Sequence, residues 1–511
     1  MRLTRKLRIR QSGRVGFVDD GGAAWLCYSA AGFRKKSFMR RAVFVGQSVV
    51  RLLVLATSVL AAVASGWAQA SLPTDLREKI DRVAQVVLSQ TGVPSASVAI
   101  VKEGSIAYLQ AYGDARLEPK AAARPEMRYS IGSISKQFTA ASMMLLQEDG
   151  KLSIDDPVGK YIPNLTRANE VTIRELLSHT SGYQDYWPQD YVPPFMLQPI
   201  TSEKILELWA RKPLDFDPGT RWQYSNTNYV IAGVIIEKVS GMPLLQFLQN
   251  RVFTPLGMKS VANIDQQKLG DTDATGYRRY ALGPPRLAPK EGKGWLFAAG
   301  ELAMPAGDLA RWDISVIEQK LLKPGSYVEL ESEVRLKNGL GTEYGLGLHV
   351  SSFSGHRMLS HGGEVSGFTT QNSVFPDDRA AVVVLTNQDA ARASSEIARQ
   401  ISTLLFTTDD ATSRGKTEQA REIFEGLQRG TIDRSLFTDN ANSYFDEQAI
   451  RDFASSLSPL GAPEEFVQTR NELRGGMVLR VFSIKFRQKR VRAWTFEMPD
   501  GKLEQYQVAA E

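Results

Sequence analysis

Between Asp75 and Leu88 the apolar positions Leu76, Ile80, Val83 and Val87 recur at helical spacing, which predicts a helix there. Two β-rich runs follow, Ala96–Val101 and Ser105–Tyr112, joined through Lys102-Glu103-Gly104, which reads as a hairpin turn. Residues 115–345 carry mostly helix and loop signals, with little strand pattern. Strand-like runs return at Tyr344–Val350, Phe368–Val374 and Ala380–Leu385, and a helical stretch runs from Ser394 to Leu405. Helix and hairpin first, helical middle, strands and helix last: this order predicts one antiparallel sheet built by the two ends and flanked by helices. The middle packs against it as an all-helical subdomain. The expected fold class is α+β, with a cleft where the two parts meet.

Beyond this segment the pattern changes. Residues 407–419 (TTDDATSRGKTEQ) are polar and contain glycine, and they read as a linker. Helical stretches at Ala420–Gln428 and Glu447–Leu457 then precede the alternating runs Phe466–Leu473, Met477–Phe486, Val491–Met498 and Leu503–Val508, with Pro499-Asp500-Gly501 as a turn. Residues 420–511 are thus expected to form a small α+β domain, whose helix-helix-sheet order is similar to NTF2-like cones. The principal domain is expected over 71–406.

Composition narrows the classes. With 511 residues, 43% of them hydrophobic and 23% charged, the chain is ordinary globular material, and wholesale disorder is excluded. A net charge of +6 invites a nucleic-acid reading, but the excess is local. Residues 1–70 hold 12 Lys/Arg against 2 Asp/Glu, leaving 50 basic and 54 acidic residues over 71–511. No nucleic-acid partner is expected.

The run Leu52–Ala64 follows Arg40, Arg41 and Arg51 and ends near Ala68-Gln69-Ala70. It is short for a bilayer span and has the parts of a secretory signal cut at Ala70/Ser71. The competing reading is an uncleaved anchor helix. Residues 1–38 fit neither, and Met39 is the more natural start of such a signal. The expected product is periplasmic or secreted, with no stable membrane span after cleavage. Cys27, the chain's one cysteine, lies in the leader, so the exported protein would have no thiol nucleophile and no thiolate metal site.

Three motifs carry chemistry. Ser133-Ile134-Ser135-Lys136 opens a predicted helix that runs to about Asp149, and residues three apart on a helix share a face. Phe138, Ala140, Ala141, Met143, Met144, Leu145 and Leu146 leave that helix no clear polar side, so it should be buried. Burial lowers a lysine pKa and makes Lys136 a credible base for Ser133. Ser413-Arg414-Gly415-Lys416 has the same spacing inside the linker, where it is a chance match. Tyr224-Ser225-Asn226 is the second motif. Among 16 tyrosines only Tyr224 precedes x-Asn. A tyrosine beside a cationic lysine is expected to ionise below 10 and shuttle a proton, and an Asn amide to accept from lysine while donating to a substrate carbonyl. The third motif, Ser360-His361-Gly362-Gly363-Glu364, lies between two strand-like runs. Glycines on an edge strand let a substrate backbone approach closely, and the next backbone N–H can donate to an oxyanion. If His361 lines the site, activity should change across roughly pH 6 to 7.

Taken in order, Ser-x-x-Lys, Tyr-x-Asn and His-x-Gly resemble the serine β-lactamase and penicillin-binding-protein superfamily. The resemblance is to its class C β-lactamase, DD-peptidase and family VIII esterase branch. The supporting strings are Leu176–Gly182 (LLSHTSG), Ala299–Leu302 (AGEL) and Ala306–Trp312 (AGDLARW), and the match spans roughly 75–405. The resemblance implies a β-lactamase-like fold with Ser133 acylated and Lys136 as its base. Tyr224 would activate the serine and later the deacylating water. Asn226 would orient the substrate amide, and the N–H groups of Ser133 and Glu364 would form the oxyanion hole beside Gly363. His361 stands where class C β-lactamases carry lysine, and Gly362 where they carry threonine. A mostly neutral imidazole there implies less dependence on an anionic substrate end, and tilts the expectation from β-lactams toward peptides or esters. His179 falls in a structural string and is expected to have no catalytic role.

The expected function is thus an exported serine hydrolase acting through an acyl-enzyme on a D-amino-acid peptide, ester or β-lactam, with no metal and no cofactor. Its partners would be a small molecule or a peptide, peptidoglycan-derived substrates included. The alternative is a non-hydrolytic penicillin-recognising or peptidoglycan-sensing protein of the same fold. An α/β-hydrolase is disfavoured, since no Gly-x-Ser-x-Gly occurs. Metallohydrolase chemistry is disfavoured too, since His179, His349, His356 and His361 form no His-Glu-x-x-His. Oligomeric state is not legible.

Overall fold

The computed structural model describes residues 71–406 and 411–510. The expected leader, signal sequence and Cys27, and the first residues of the expected linker, lie outside the described residues.

Helix α1 (Thr74–Thr91) leads into strand β1 (Ser95–Lys102) and, through a tight turn, β2 (Ser105–Leu117), followed by the short β3 (Lys120–Ala122). Two long helices frame the middle of the chain, α2 (Ser135–Glu148) and α3 (Asn226–Ser240), with α4 (Ala306–Ile317) after them. Strands β4 (His349–Phe353), β5 (His356–Val365), β6 (Phe368–Phe375) and β7 (Ala380–Thr386) then precede α5 (Ala393–Phe406). The seven strands form one antiparallel sheet in the order β3-β2-β1-β7-β6-β5-β4. The first hairpin and the last strands meet at the β1–β7 ladder, where Val98 faces Val384 and Ile100 faces Val382. The two ends of the segment therefore build one sheet, as the element order predicts.

Both central strands are buried along their length except at Lys102, so their alternation separates two cores rather than core from water. Val98, Ile100, Val382 and Val384 enter the cluster beneath α1 and α5. Ala99, Val101, Val383 and Leu385 face the larger cluster shared with α2, α3 and α4. Among the described residues no single helix is long and apolar enough to cross a membrane.

The structure corrects the sequence reading in three places, one of them the middle of the chain, which is not all-helical: Tyr129–Ser130, Leu302–Met304 and Ala262–Asn263 form a small three-stranded sheet. Strand β4 begins at His349, not Tyr344, because Gly345 and Gly347 (φ +82°) break the extension and Tyr344 turns into the interior. The third motif lies on strand β5, in keeping with its expected place on a late edge strand, although Ser360, His361, Gly362 and Gly363 have poor β propensity. Its neighbours impose the extended form, with β6 pairing along Leu359–Val365 and β4 along His356–Ser360. Helix α6 (Ala411–Gln428) occupies most of the expected linker. Within it Lys416 pairs with Glu497 at 2.7 Å.

After α6 come α7 (Glu447–Leu457) and strands β8 (Glu465–Arg474), β9 (Met477–Lys485), β10 (Arg490–Glu497) and β11 (Leu503–Ala510). They form a four-stranded antiparallel meander around a hydrophobic cluster of its own that includes Phe424, Phe445, Phe482 and Tyr506.

Candidate active site

Ser133 sits in a 3₁₀ turn, Gly132–Ile134, immediately before α2. The turn is pinned from two sides. Ile131 donates its N–H to the carbonyl of Leu302 at 3.0 Å, and Thr370 Oγ1 donates to the Ile131 carbonyl at 3.1 Å. Strand β5 pairs on only one side over His361–Val365, and its open edge lies against this turn. The approach needs glycine twice. A Cβ on Gly363 would lie 1.9 Å from the Ile131 oxygen, and one on Gly132 (φ +51°) would lie 2.8 Å from the Glu364 nitrogen. The backbone nitrogens of Ser133 and Glu364 are thereby brought to one edge of the cleft, as an oxyanion hole requires.

Residues 135–146 of α2 are all buried, and Lys136 is 0% exposed. Its Nζ lies 2.8 Å from Asn226 Oδ1, 2.8 Å from the Ala299 carbonyl oxygen and 3.0 Å from Ser133 Oγ. The first two groups only accept. Burial lowers the ammonium pKa to about 7, against an opposing pull from the Asp185 charge. A neutral lysine held this way directs its two N–H bonds at the two carbonyl-type oxygens and leaves its lone pair for the serine hydroxyl.

Tyr224 donates its hydroxyl to Ser133 Oγ at 2.8 Å. Burial raises its phenol well above the usual 10. The expectation of a readily ionised tyrosine is therefore overturned: desolvation outweighs the lysine, which lies 4.9 Å from the ring centroid. His179 stacks beneath Tyr224 with centroids 4.3 Å apart, and its Nδ1 accepts from the Ser225 N–H at 3.1 Å. It braces the Tyr224 ring.

His361 is 4% exposed. Its Nδ1 lies 2.6 Å from the Gly362 carbonyl, which only accepts, so Nδ1 carries the proton. Its Nε2 accepts from the Tyr344 hydroxyl at 2.9 Å. Burial and the nearby Lys136 push its pKa down to about 3. Two expectations fall here: the ring does not titrate between pH 6 and 7, and neither nitrogen is free to hold a substrate. The Glu364 side chain turns away from the serine and accepts from the Ala390 N–H at 2.8 Å, leaving its backbone N–H as its contribution to the site.

The structure thus brings Ser133, Lys136, Tyr224, Asn226, His361, Gly363 and Glu364 together. All of them except Lys136 line, with Asp185, a cleft of about 1040 Å³. Asp185 was not singled out in the sequence, and only an acidic residue within an aromatic-rich string marks it. The loop around it divides its aromatic residues. Tyr186 is buried against Trp209 and Trp295, whereas Tyr191 and Phe195 stay exposed.

A family model described as Beta-lactamase matches residues 77–404. The chain is 30% identical over 311 residues to a penicillin-binding protein of Bacillus subtilis (strain 168), covering 58% of this chain and 68% of that protein. It is 29% identical over 304 residues to a D-aminopeptidase of Brucella anthropi, covering 58% of this chain and 56% of that protein. The match therefore spans little more than half the length of the D-aminopeptidase. Among solved structures, a D-stereospecific amidohydrolase from Streptomyces sp. is 27% identical with a TM-score of 0.55, covering 64% of this chain and 99% of that one. An octameric penicillin-binding protein homologue from Pyrococcus abyssi shares the fold at 22% identity and a TM-score of 0.58, covering 84% of this chain and 99% of that one. That coverage exceeds what the family model spans.

Proposed function

The chain belongs to the beta-lactamase family, and from that premise we propose a serine hydrolase that acylates Ser133 and cleaves amides or short peptides of D-amino acids. One observation carries the reading. Ser133 Oγ accepts from a protonated Tyr224 at 2.8 Å while facing a buried lysine with a pKa near 7 at 3.0 Å. The serine proton passes to Lys136 Nζ as Oγ bonds to the substrate carbonyl carbon. The oxyanion is received by the N–H groups of Ser133 and Glu364. On collapse the C–N bond breaks, and the departing amine takes up the proton that Lys136 received from Ser133, since Oγ, now an ester oxygen, carries none. A water then loses its proton to the same lysine and attacks the ester; the acid leaves as the C–Oγ bond breaks, and Lys136 returns the proton to Oγ, which restores Ser133.

The D-amino-acid class rests on the relatives' names. His361 supports an amide or peptide over a β-lactam, because a neutral ring with both nitrogens engaged offers no cation to a substrate carboxylate. Export through a signal cut at Ala70/Ser71 belongs to the same proposal, and N-terminal sequencing of the exported protein, expected to begin at Ser71, tests it.

The activity is tested with the purified protein and its Ser133→Ala variant on a D-amino-acid amide, a p-nitrophenyl acyl ester and a chromogenic cephalosporin. Turnover of the amide and ester by the wild type alone is expected. Equal rates for both proteins would refute the proposal. Stable labelling by a fluorescent penicillin without turnover would favour a non-hydrolytic binding protein.

A further inference from the structure

Asn226 is held at both ends of its side chain. Oδ1 accepts from Lys136, while Nδ2 donates to the two carboxylate oxygens of Asp185 at 3.2 and 3.3 Å, and the Asn226 backbone N–H donates to Asp185 Oδ1 at 3.0 Å. An asparagine amide is nearly symmetric in shape, so nothing in its own geometry decides which end meets the lysine. A carboxylate only accepts, and it therefore decides: the NH₂ end must face Asp185, and the oxygen is left for Nζ. With the amide reversed, Nδ2 would point at the lysine. It would then oppose an N–H or occupy the lone pair that the serine proton needs.

Resting on the serine-hydrolase reading, we infer that Asp185 is a positioning residue for acylation, fixing the Asn226 amide so that its oxygen anchors Lys136 and leaves the lysine lone pair on Ser133. Asp185 touches neither the serine nor the scissile bond. It also accepts from the Trp187 N–H at 3.1 Å, which closes a turn at the start of the aromatic cleft wall. One carboxylate thus fastens the cleft loop to the helix that carries Asn226.

The charge has a second effect, on protonation. The titratable and charged groups around Lys136 are Asp185, His179, His361, Tyr224 and Tyr229. Both imidazoles are held neutral by burial, and burial raises both phenols. Asp185 is therefore the charge that favours the ammonium, and burial opposes it. Removing that charge favours the neutral lysine at lower pH even as it loosens the amide.

The test is the pH dependence of kcat/KM for Asp185→Asn, an isosteric change, on an activated acyl ester. The plateau is expected to fall by about ten- to a hundredfold, the scale of a misplaced reacting group. Its acid limb should move to lower pH, which a purely structural loss would not do. Asp185→Glu keeps the charge and is expected to keep the limb while lowering kcat. Asn226→Ala should absorb most of the Asp185→Asn effect in the double variant, since one residue acts through the other.

An unmoved limb in a folded Asp185→Asn, or fully additive losses in the double variant, would overturn the assignment. If Asp185→Asn does not fold, Asp185→Glu carries the test, and an unchanged kcat overturns it. Ser133→Ala separates the two levels. If it retains activity, the serine-hydrolase reading falls. If it is inactive while Asp185→Asn behaves as wild type, only the Asp185 assignment falls.

Discussion

The Tyr344 hydroxyl donates to Nε2 of His361 at 2.9 Å, and with Nδ1 turned to the Gly362 carbonyl this leaves the imidazole neutral and fully engaged. A histidine in the third motif is therefore part of the wall of the site and not a titrating participant.

His361→Gln is expected to leave the acid limb of kcat/KM where it stands in the wild type. Stability should respond instead. The folded-state pKa of about 3 lies below the unfolded value near 6.5, so the contribution is present above pH 6.5 and lost as pH falls toward 3. Melting temperatures recorded between pH 7 and 4 should fall more steeply for the wild type than for the variant. Parallel curves would contradict the assignment.

Lys136 sets the pH dependence of turnover. The reacting form is the neutral amine, so kcat/KM should rise as pH increases through about 7 and be lost below it. Lys136→Ala should lower turnover by at least about a hundredfold and abolish that limb. A rate profile flat from pH 5 to 9 would show that another group is the base.

Gly363→Ala tests the contact between β5 and the Ser133 turn. The added methyl meets the Ile131 carbonyl oxygen at 1.9 Å, backbone that no rotamer change can move aside, so strand and turn must separate. Stability is expected to fall by about 1–3 kcal/mol in denaturant titration, together with loss of acylation. Wild-type values for both would mean that the strand does not approach so closely in solution.

Asp313, on α4, is fully buried, with Asn372 Nδ2 donating to one oxygen at 2.8 Å and the other oxygen unpartnered. Burial raises its pKa to about 8. A raised acid contributes stability that is full below pH 4 and lost as pH climbs through 8. Asp313→Asn should therefore melt several degrees above the wild type at pH 8.5, with the gap closing at pH 4. A gap independent of pH would refute this protonation state.

Much of this arrangement was legible because periodicity survives where burial is one-sided or complete. The hairpin 96–112, the strands near 368 and 380 and the buried helix after Ser133 all appear as runs of the right period. Spacing together with the apolar helix that follows and the two later motifs singled out Lys136 and Ser133, since Ser413 and Lys416 have the same spacing. Strand β5 was legible only through its glycine motif, because its residues serve a close backbone approach rather than strand propensity. Asp185 and Tyr344 escaped because their roles lie in what they touch across about 41 and 17 residues of chain, and no local pattern encodes a partner at that range. The ionisation of Tyr224 and His361 was misjudged for one physical reason: the sequence reveals neighbours but not how far water is excluded.

The Ser133 turn is seated by main-chain contacts with β5, whereas Trp187–Val192 and Arg278–Arg279 border the opening. Selectivity and reactivity are thus mechanically separable: border segments are exchangeable for those of other substrates while the reacting groups keep their places. Asp185 is the exception, so any transplanted border segment must bring along an acceptor for the Asn226 amide.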